Sequence, residues 1–360
     1  MEHSQIHSSV YIGMDLHKKT STLVVKEKFG KVLAKQKLNT DQKEITDFLS
    51  PYAGAELAVE PVSQWYVYAD LIQSLGINVH LAHPMKVKAI AFAKVKTDSI
   101  DAGVLCDLLR SDLLPEAYFS PKEVRSWKET ARFRMSLVQM QTMVKNKIHS
   151  ILFKNALVYP HESVFGSKGR QWLKELELPE PFNFHLEENL KLLRDIGVRI
   201  GGAEKEVIMK VANHPQARLL CTIPGIGYIT ALTIVAEIGD IHRFRSAKKL
   251  MGYAGLVPST YSSGESVRHG KITRQGSMWL RTALIETAHR QGRSAKSGSL
   301  KDFHDHIKEK RDGKTAAVAT ARKLCAVIWR MMTDNRPFEK YPPRRDSKTL
   351  TGFASSPQSR

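Results

Sequence analysis

From Lys122 to Ala156, apolar side chains recur mostly in steps of three or four: Val124, Trp127, Ala131, Leu137, Met140, Val144, Ile148 and Ile151. That period predicts one helix, far longer than the three or four turns usual in a compact domain. Leu186 to Val211 repeats the pattern through Leu190, Leu193, Ile200, Ala203 and Val207, although Gly197, Gly201 and Gly202 weaken it. Between them, Leu157 to Glu180 is broken by Pro160, Gly166, Gly169 and Pro179, so it is expected to be a connector with one short helix around Trp172. Two long amphipathic helices joined this way predict an antiparallel hairpin or coiled coil, and long arms favour assembly between subunits.

Ahead of this arm the pattern changes. Val10 to Met14, Thr22 to Lys26 and Lys31 to Leu38 predict three successive strands, with Phe29-Gly30 turning between the last two. Gln42 to Leu49 predicts a helix capped by Asp41. Glu56 to Val59 and Ile77 to Ala82 are two further strands, separated by a helix over Trp65 to Leu75 that Gly76 closes. A meander followed by alternating strands and helices predicts an α/β domain with a mixed sheet.

The charge balance narrows the partner. Lys and Arg number 55 against 36 Asp and Glu, a formal net charge of +19 over 360 residues. Such a surplus points to a polyanion, nucleic acid above all. Cys106, Cys221 and Cys325 are far apart in apolar surroundings, which excludes a disulfide framework or zinc spacing and suits a reducing cytoplasm. Met1-Glu2-His3-Ser4 lacks the basic and apolar regions of a signal peptide, and no apolar run approaches the ~20 residues of a membrane span.

Four acids stand where chemistry would need them. Asp98 and Asp101, in Lys96-Thr97-Asp98-Ser99-Ile100-Asp101-Ala102, are three apart at the start of a helical run and share its face. Carboxylates that close repel, and a divalent cation such as Mg²⁺ relieves the repulsion. Asp15 ends the first strand and Glu60 the fourth, so acids from three elements can converge at one sheet edge. Singly, each has an ordinary explanation: a solvated first turn, a turn acid, a rim carboxylate. Lys86, Lys88, Lys94 and Lys96 surround this region as backbone contacts or as a solvated face. His17, two residues after Asp15, could touch a metal or phosphate, but a strand-end histidine is expected to be structural or exposed and is left out of the site.

In the last third, Ile223-Pro224-Gly225-Ile226-Gly227 precedes an apolar helix over Thr230 to Ile238, an arrangement similar to a helix-hairpin-helix phosphate holder or to a plain helix-turn-helix packing unit. Ser262-Ser263-Gly264 then opens a stretch dense in positive charge: Glu265 to Lys296 carries seven Lys or Arg and two Glu. By residue type alone it is a polar, flexible loop able to approach phosphates. Helices are predicted over Ser277 to Arg290 and Ala316 to Met332, and from Tyr341 the chain is polar, Pro- and Ser-rich and expected to be disordered.

Tyr11-Ile-Gly-Met-Asp15-Leu-His-Lys-Lys, Ala58-Val-Glu60-Pro and Lys96-Thr-Asp98-Ser-Ile-Asp101-Ala resemble the RuvC-type, RNase H-like domain of the DEDD transposases of insertion-sequence family 110, which includes the Piv-type DNA invertases. Gly255-Leu-Val-Pro258, Ser262-Ser263-Gly264, Gly270 to Gly276 and Leu280-Arg281 resemble that family's C-terminal transposase domain. The resemblance spans roughly residues 10 to 340. It implies an RNase H-like domain over 1–118, a helical arm over 119–213, a mainly helical transposase domain over 214–340 and a basic tail over 341–360. It also implies a metal tetrad of Asp15, Glu60, Asp98 and Asp101 holding two Mg²⁺ ions, with Ser263 as nucleophile and Ser262 the weaker choice.

The resemblance further implies a DNA transposase that forms a phosphoserine link. It would act on double-stranded element ends and target, guided by a structured bridge RNA. It would be a homodimer or homotetramer with a composite active site, in the bacterial cytoplasm near the nucleoid and away from membranes. Three rivals are a Piv-type invertase with the same chemistry, a RuvC-like junction nuclease that uses water, and a nucleic-acid-binding protein that never cuts.

Overall fold

The computed structural model describes residues 10–90, 97–159, 163–263, 266–294 and 298–339, with backbone alone over 260–269. The chain divides into two compact units, Met1–Ser120 and Pro121–Arg360.

The first unit is a five-stranded mixed sheet with helices on both faces. Its strands are β1 (Val10–Leu16), β2 (Thr20–Glu27), β3 (Val32–Asn39), β4 (Glu56–Val59) and β5 (Asn78–Leu81). Its helices are α1 (Gln42–Leu49), α2 (Trp65–Ser74), α3 (Pro84–Ile90) and α4 (Asp98–Arg110). The order across the sheet is β3-β2-β1-β4-β5. The opening meander is antiparallel, whereas β1, β4 and β5 run parallel because helices carry the chain back between them. This is the expected mixed sheet, and it is consistent with an RNase H-like domain.

Side-chain alternation decides what each face receives. Ile12, Met14, Leu16, Leu57 and Val59 pack with Ile45, Leu49, Tyr68 and Ile72 on the α1–α2 side. Ala58, Ala82 and Val87 pack with Leu105 and Leu108 of α4 on the other. The β5 edge does not stay open: Ala82 bridges Glu116, and Ala117 donates its amide to Leu81. His80 fastens this edge. Its Nε2 lies 2.6 Å from Glu56 Oε2 and its Nδ1 2.7 Å from Glu116 Oε1.

In the second unit, α5 (Lys122–Lys154) and α7 (Phe182–Ala212) form the expected antiparallel hairpin. Arg134 pairs with Glu204 and Lys210 reaches Ser126, which sets the register. At 33 residues, α5 is about 50 Å long. The helix α7 begins ahead of the periodic run and passes unbroken through its three glycines, because burial of Ile196, Ile200 and Ala203 outweighs their propensity cost. One end of the hairpin is closed by α6 (Ser167–Glu175), whose Leu173 is buried there. At the other end, Ala131, Val207 and Val211 join the core of the remaining elements. Those elements are α8 (Pro215–Leu220), α9 (Tyr228–Ile238), α10 (Ala247–Tyr253), β6 (Pro258–Ser263), β7 (Ser266–Ile272), α11 (Met278–Gln291), α12 (Ser299–Lys310) and α13 (Gly313–Asp334). No helix among the described residues is long and apolar enough to cross a membrane.

The two flanking carboxylates outweigh burial and raise the His80 pKa above its ordinary value. The folded chain therefore holds that proton more tightly than the unfolded one. The resulting stability is complete below about pH 6.5 and is lost as pH rises through the folded value. We expect His80→Gln to lower the Tm of the full-length protein clearly at pH 5.5 and much less at pH 8.5, measured by thermal unfolding.

Candidate functional site

The acidic site exists because a helix lies directly on a strand. On β1, Gly13 faces α4, and a Cβ there would stand 1.9 Å from the Ala102 carbonyl oxygen and 2.6 Å from the Cys106 amide nitrogen. Only glycine allows backbone to meet backbone so closely. One turn further along, Cys106 Sγ reaches the Tyr11 carbonyl at 3.2 Å. Asp107 ties the same helix to β2 through Lys26 Nζ at 2.7 Å. Thus α4 runs back along β1: Cys106 lies by Tyr11, Ala102 by Gly13, and its first turn by Asp15.

That first turn is well built. Thr97 caps it, accepting the Ile100 amide on its side chain. Asp98 and Asp101 occupy the positive end of the helix dipole, which favours their ionised forms. Ligand atoms of Asp15, His17 and Asp98 all lie within 4.8 Å of one another. His17 Nε2 is 3.0 Å from Asp15 Oδ2 and 3.8 Å from Asp98 Oδ1. Lys37 Nζ, from β3, is 2.8 Å from Asp98 Oδ2.

The two aspartates titrate in opposite senses. Burial raises the Asp15 pKa, His17 partly opposes it, and the charges of Asp98 and Asp101 raise it further. The hydrogen bond from Lys37 lowers that of Asp98. Although His17 is near, Asp15 Oδ2 is buried and accepts no well-aligned hydrogen bond. A buried, under-satisfied carboxylate oxygen beside two further acids suits a divalent cation. The donor set therefore fits a metal ion held by oxygen ligands, with an imidazole at hand.

Glu60 follows β4 directly. The parallel register pairs Met14 with Val59, so the next step sets Glu60 alongside Asp15. Asp101 is exposed, and its charge acts on Asp15. All four expected acids thus belong to one end of one sheet, from three elements. Lys86 and Lys88 lie exposed on α3, while Lys94 and Lys96 fall outside the described residues. His17 and Lys37, both outside the expected site, join the cluster. A histidine two residues past a strand acid was the available signal for His17, but Lys37 on a distant strand offered none.

In the second unit, Ser262 and Ser263 end β6 and pair with Val267 and Ser266 of β7. The expected flexible loop is therefore a two-stranded ribbon, because Thr260, Tyr261, Val267 and Ile272 favour extended backbone. Gly264 and Glu265 fall outside the described residues. The ribbon's base is fastened. Gly276 has φ +113, and a Cβ there would stand 2.1 Å from the Tyr253 carbonyl oxygen. Arg281 Nη1 donates to the Ala254 and Arg274 carbonyls at 3.2 and 3.1 Å.

Behind that base sits a buried carboxylate. Glu237 of α9 has a side chain only 4% exposed. Its Oε1 accepts Arg132 Nε at 2.9 Å and Nη2 at 2.7 Å. Its Oε2 accepts the Ser277 hydroxyl at 2.9 Å. Ser277 in turn caps α11 through the Leu280 amide. Burial pulls the nearby Lys128 down to about 8, and Glu237 opposes that fall. Glu237 thus joins α5, α9 and the start of α11 at the foot of the serine ribbon.

We expect Gly13→Ala to cost about 3 kcal/mol or more, since the added methyl meets backbone on both sides; thermal unfolding of the full-length protein measures it. Glu237→Ala leaves Arg132 without its buried partner and should cost roughly 3 kcal/mol. Glu237→Gln should cost less, as read by denaturant unfolding.

Both units of the chain are similar to known proteins. Residues 12–154 match a family model described as a DEDD-type transposase of the IS110 group, and residues 217–305 match one described as the transposase IS116/IS110/IS902 family. The chain is 25% identical to a probable family 20 transposase of Pseudomonas aeruginosa over 89% of its own length and 96% of that protein's. It is 27% identical to the transposase for insertion sequence element IS1328 of Yersinia enterocolitica over 91% and 98%. It is 38% identical to the pilin gene-inverting protein of Moraxella bovis, over 36% of this chain and 40% of that one. With both models matched in chain order and full-length transposases spanned almost end to end, the chain carries the domains of IS110-family transposases, and the likeness supports a DNA transposase or recombinase.

Proposed function

We propose that this chain mobilises an insertion sequence by metal-dependent strand cleavage and rejoining through a covalent phosphoserine intermediate. The observation that carries this reading is the meeting of Asp15 of β1 with Asp98 of α4, a helix docked without clearance against that strand. Asp15, Glu60, Asp98 and Asp101 would hold two Mg²⁺ ions, His17 lying beside them. Bound there, the ions supply Lewis acidity at a scissile phosphate.

The protein's own residues do the rest. Ser263 stands at the tip of a ribbon whose base is fixed by Gly276, Arg281 and the Glu237–Ser277 bond. Its hydroxyl attacks phosphorus and gives up its proton. The Oγ–P bond forms, the P–O3′ bond breaks, and the 3′ oxygen leaves as a hydroxyl after taking up a proton. Reversal by another 3′ hydroxyl restores serine and seals a new junction, so bond energy is conserved and no nucleotide triphosphate is needed.

The domain plan goes with this reading: metal domain over 1–118, arm over 119–213, serine domain over 214–340 and basic tail over 341–360. Substrates are the double-stranded element ends and target. The long arm supports a dimer or tetramer with a composite site. A structured bridge RNA would choose the target by base pairing, in the cytoplasm beside the nucleoid. The stretch Gly225 to Gly227 ahead of α9 leaves that helix start without a side-chain cap, which suits a phosphate. The likeness to the Moraxella bovis protein favours one second reading, a site-specific invertase with the same chemistry.

Covalent trapping tests the mechanism. Full-length protein, Mg²⁺, labelled element-end DNA and RNA from the same locus are incubated and denatured. We expect a protein–DNA adduct in wild type and Ser262→Ala, reduced at least about 100-fold in Ser263→Ala and Asp98→Ala. Cleavage without an adduct, unaffected by Ser263→Ala, would overturn the serine step in favour of attack by water.

A further inference from the structure

A cavity of about 770 Å³ opens between α11, α12 and α13, lined by His289, Arg293, His304, Lys308, Asp312 and Lys314. Its charge is one-sided. Arg293, Lys308 and Lys314 are exposed, and among the described residues none of them forms an ion pair. The lone acid in the lining, Asp312, is committed to the start of α13. Its Oδ1 accepts the amides of Lys314 and Thr315 at 2.8 and 2.9 Å, and its Oδ2 accepts the Thr315 hydroxyl at 2.6 Å. Two positive charges therefore remain in excess before either histidine is counted.

The floor of the cavity is packed around His304. His304 is 7% exposed, and its ring presses on Gly292 so closely that a Cβ there would stand 2.5 Å from Cε1. Its Nδ1 faces Asp305 Oδ1 at 3.3 Å, and that carboxylate is also bound by Lys301. Nε2 is thus the ring nitrogen left for a ligand. Three long cations line the cavity against one acid, and a phosphate group would offset that excess while accepting hydrogen bonds from such side chains. The cavity is open to solvent, which suits a strand passing across it rather than an enclosed small molecule.

We propose that this cavity grips the phosphodiester backbone of duplex DNA, at a site that shares no residue with the acidic cluster or the serine ribbon. The proposal rests on the reading of the chain as an enzyme acting on DNA. Its contacts would position the duplex without reading bases.

Salt dependence of binding tests it. The affinity of the full-length protein for labelled duplex DNA of arbitrary sequence is measured against KCl concentration. The variants are Arg293→Gln/Lys308→Gln/Lys314→Gln, the single Lys308→Gln, and a control of equal charge loss in the first unit, Lys28→Gln/Lys31→Gln/Lys43→Gln. Each lost phosphate contact removes about 0.9 from the slope of log affinity against log salt. We expect the cavity triple to flatten the slope by about 2 to 3, the single by about 1, and the control by less than about 1. At low salt the cavity triple should bind at least about tenfold more weakly. Equal flattening by both triples, or none by the cavity triple, would overturn the site while leaving the DNA-acting reading intact. Failure of wild type to bind duplex DNA would overturn both. Flattening confined to an RNA probe of the same length would overturn the DNA assignment.

Discussion

The acidic site depends on one contact without clearance, the backbone of α4 against the backbone of β1 at Gly13. Packed layers usually meet through side chains that hold them about 10 Å apart. Here the missing Cβ lets Ala102 and Cys106 approach the strand itself, which carries the first turn of α4 to Asp15. The tie between Asp107 and Lys26 prevents the helix from sliding. A larger residue at this position would not remove any carboxylate, yet it would part them.

Having been brought together, the acids are costly neighbours. Burial and two like charges raise the Asp15 pKa, while Asp98 stays ionised through Lys37. His17 and the helix dipole offset part of the repulsion, and the fold bears the remainder in a unit whose core is otherwise apolar on both sheet faces. Such stored electrostatic cost is what a cation would relieve, so the same feature that burdens stability favours metal binding.

The second unit applies a different device to its own chemistry. The serine ribbon's position is set from below. Glu237 joins Arg132 of the long arm to Ser277, and the Gly276 turn and Arg281 fasten the ribbon's two ends. Glu237 is thus one buried link between the arm and the foot of the ribbon. The basic cavity on α11 to α13 lies on elements packed into the same core.

Much of this was determined by local pattern. Short runs bounded by turn residues placed the five strands, the three-to-four step placed α5 and α7, and strand-end acids with an Asp-x-x-Asp turn announced the cluster, because these signals need only a residue's near neighbours in the chain. Shorter helices such as α12, with only Leu300, Phe303 and Ile307 for an apolar stripe, left a weaker trace. The serine stretch looked like a loop, since cross-strand pairing is not visible within one strand. Tertiary structure alone decided that Gly13 is the seat of α4, that Lys37 reaches Asp98, and that Glu237, hidden in an apolar helix, joins three elements. Each of these depends on residues far apart in sequence meeting at a distance of a few ångströms, and periodicity along a chain carries no information about such distances.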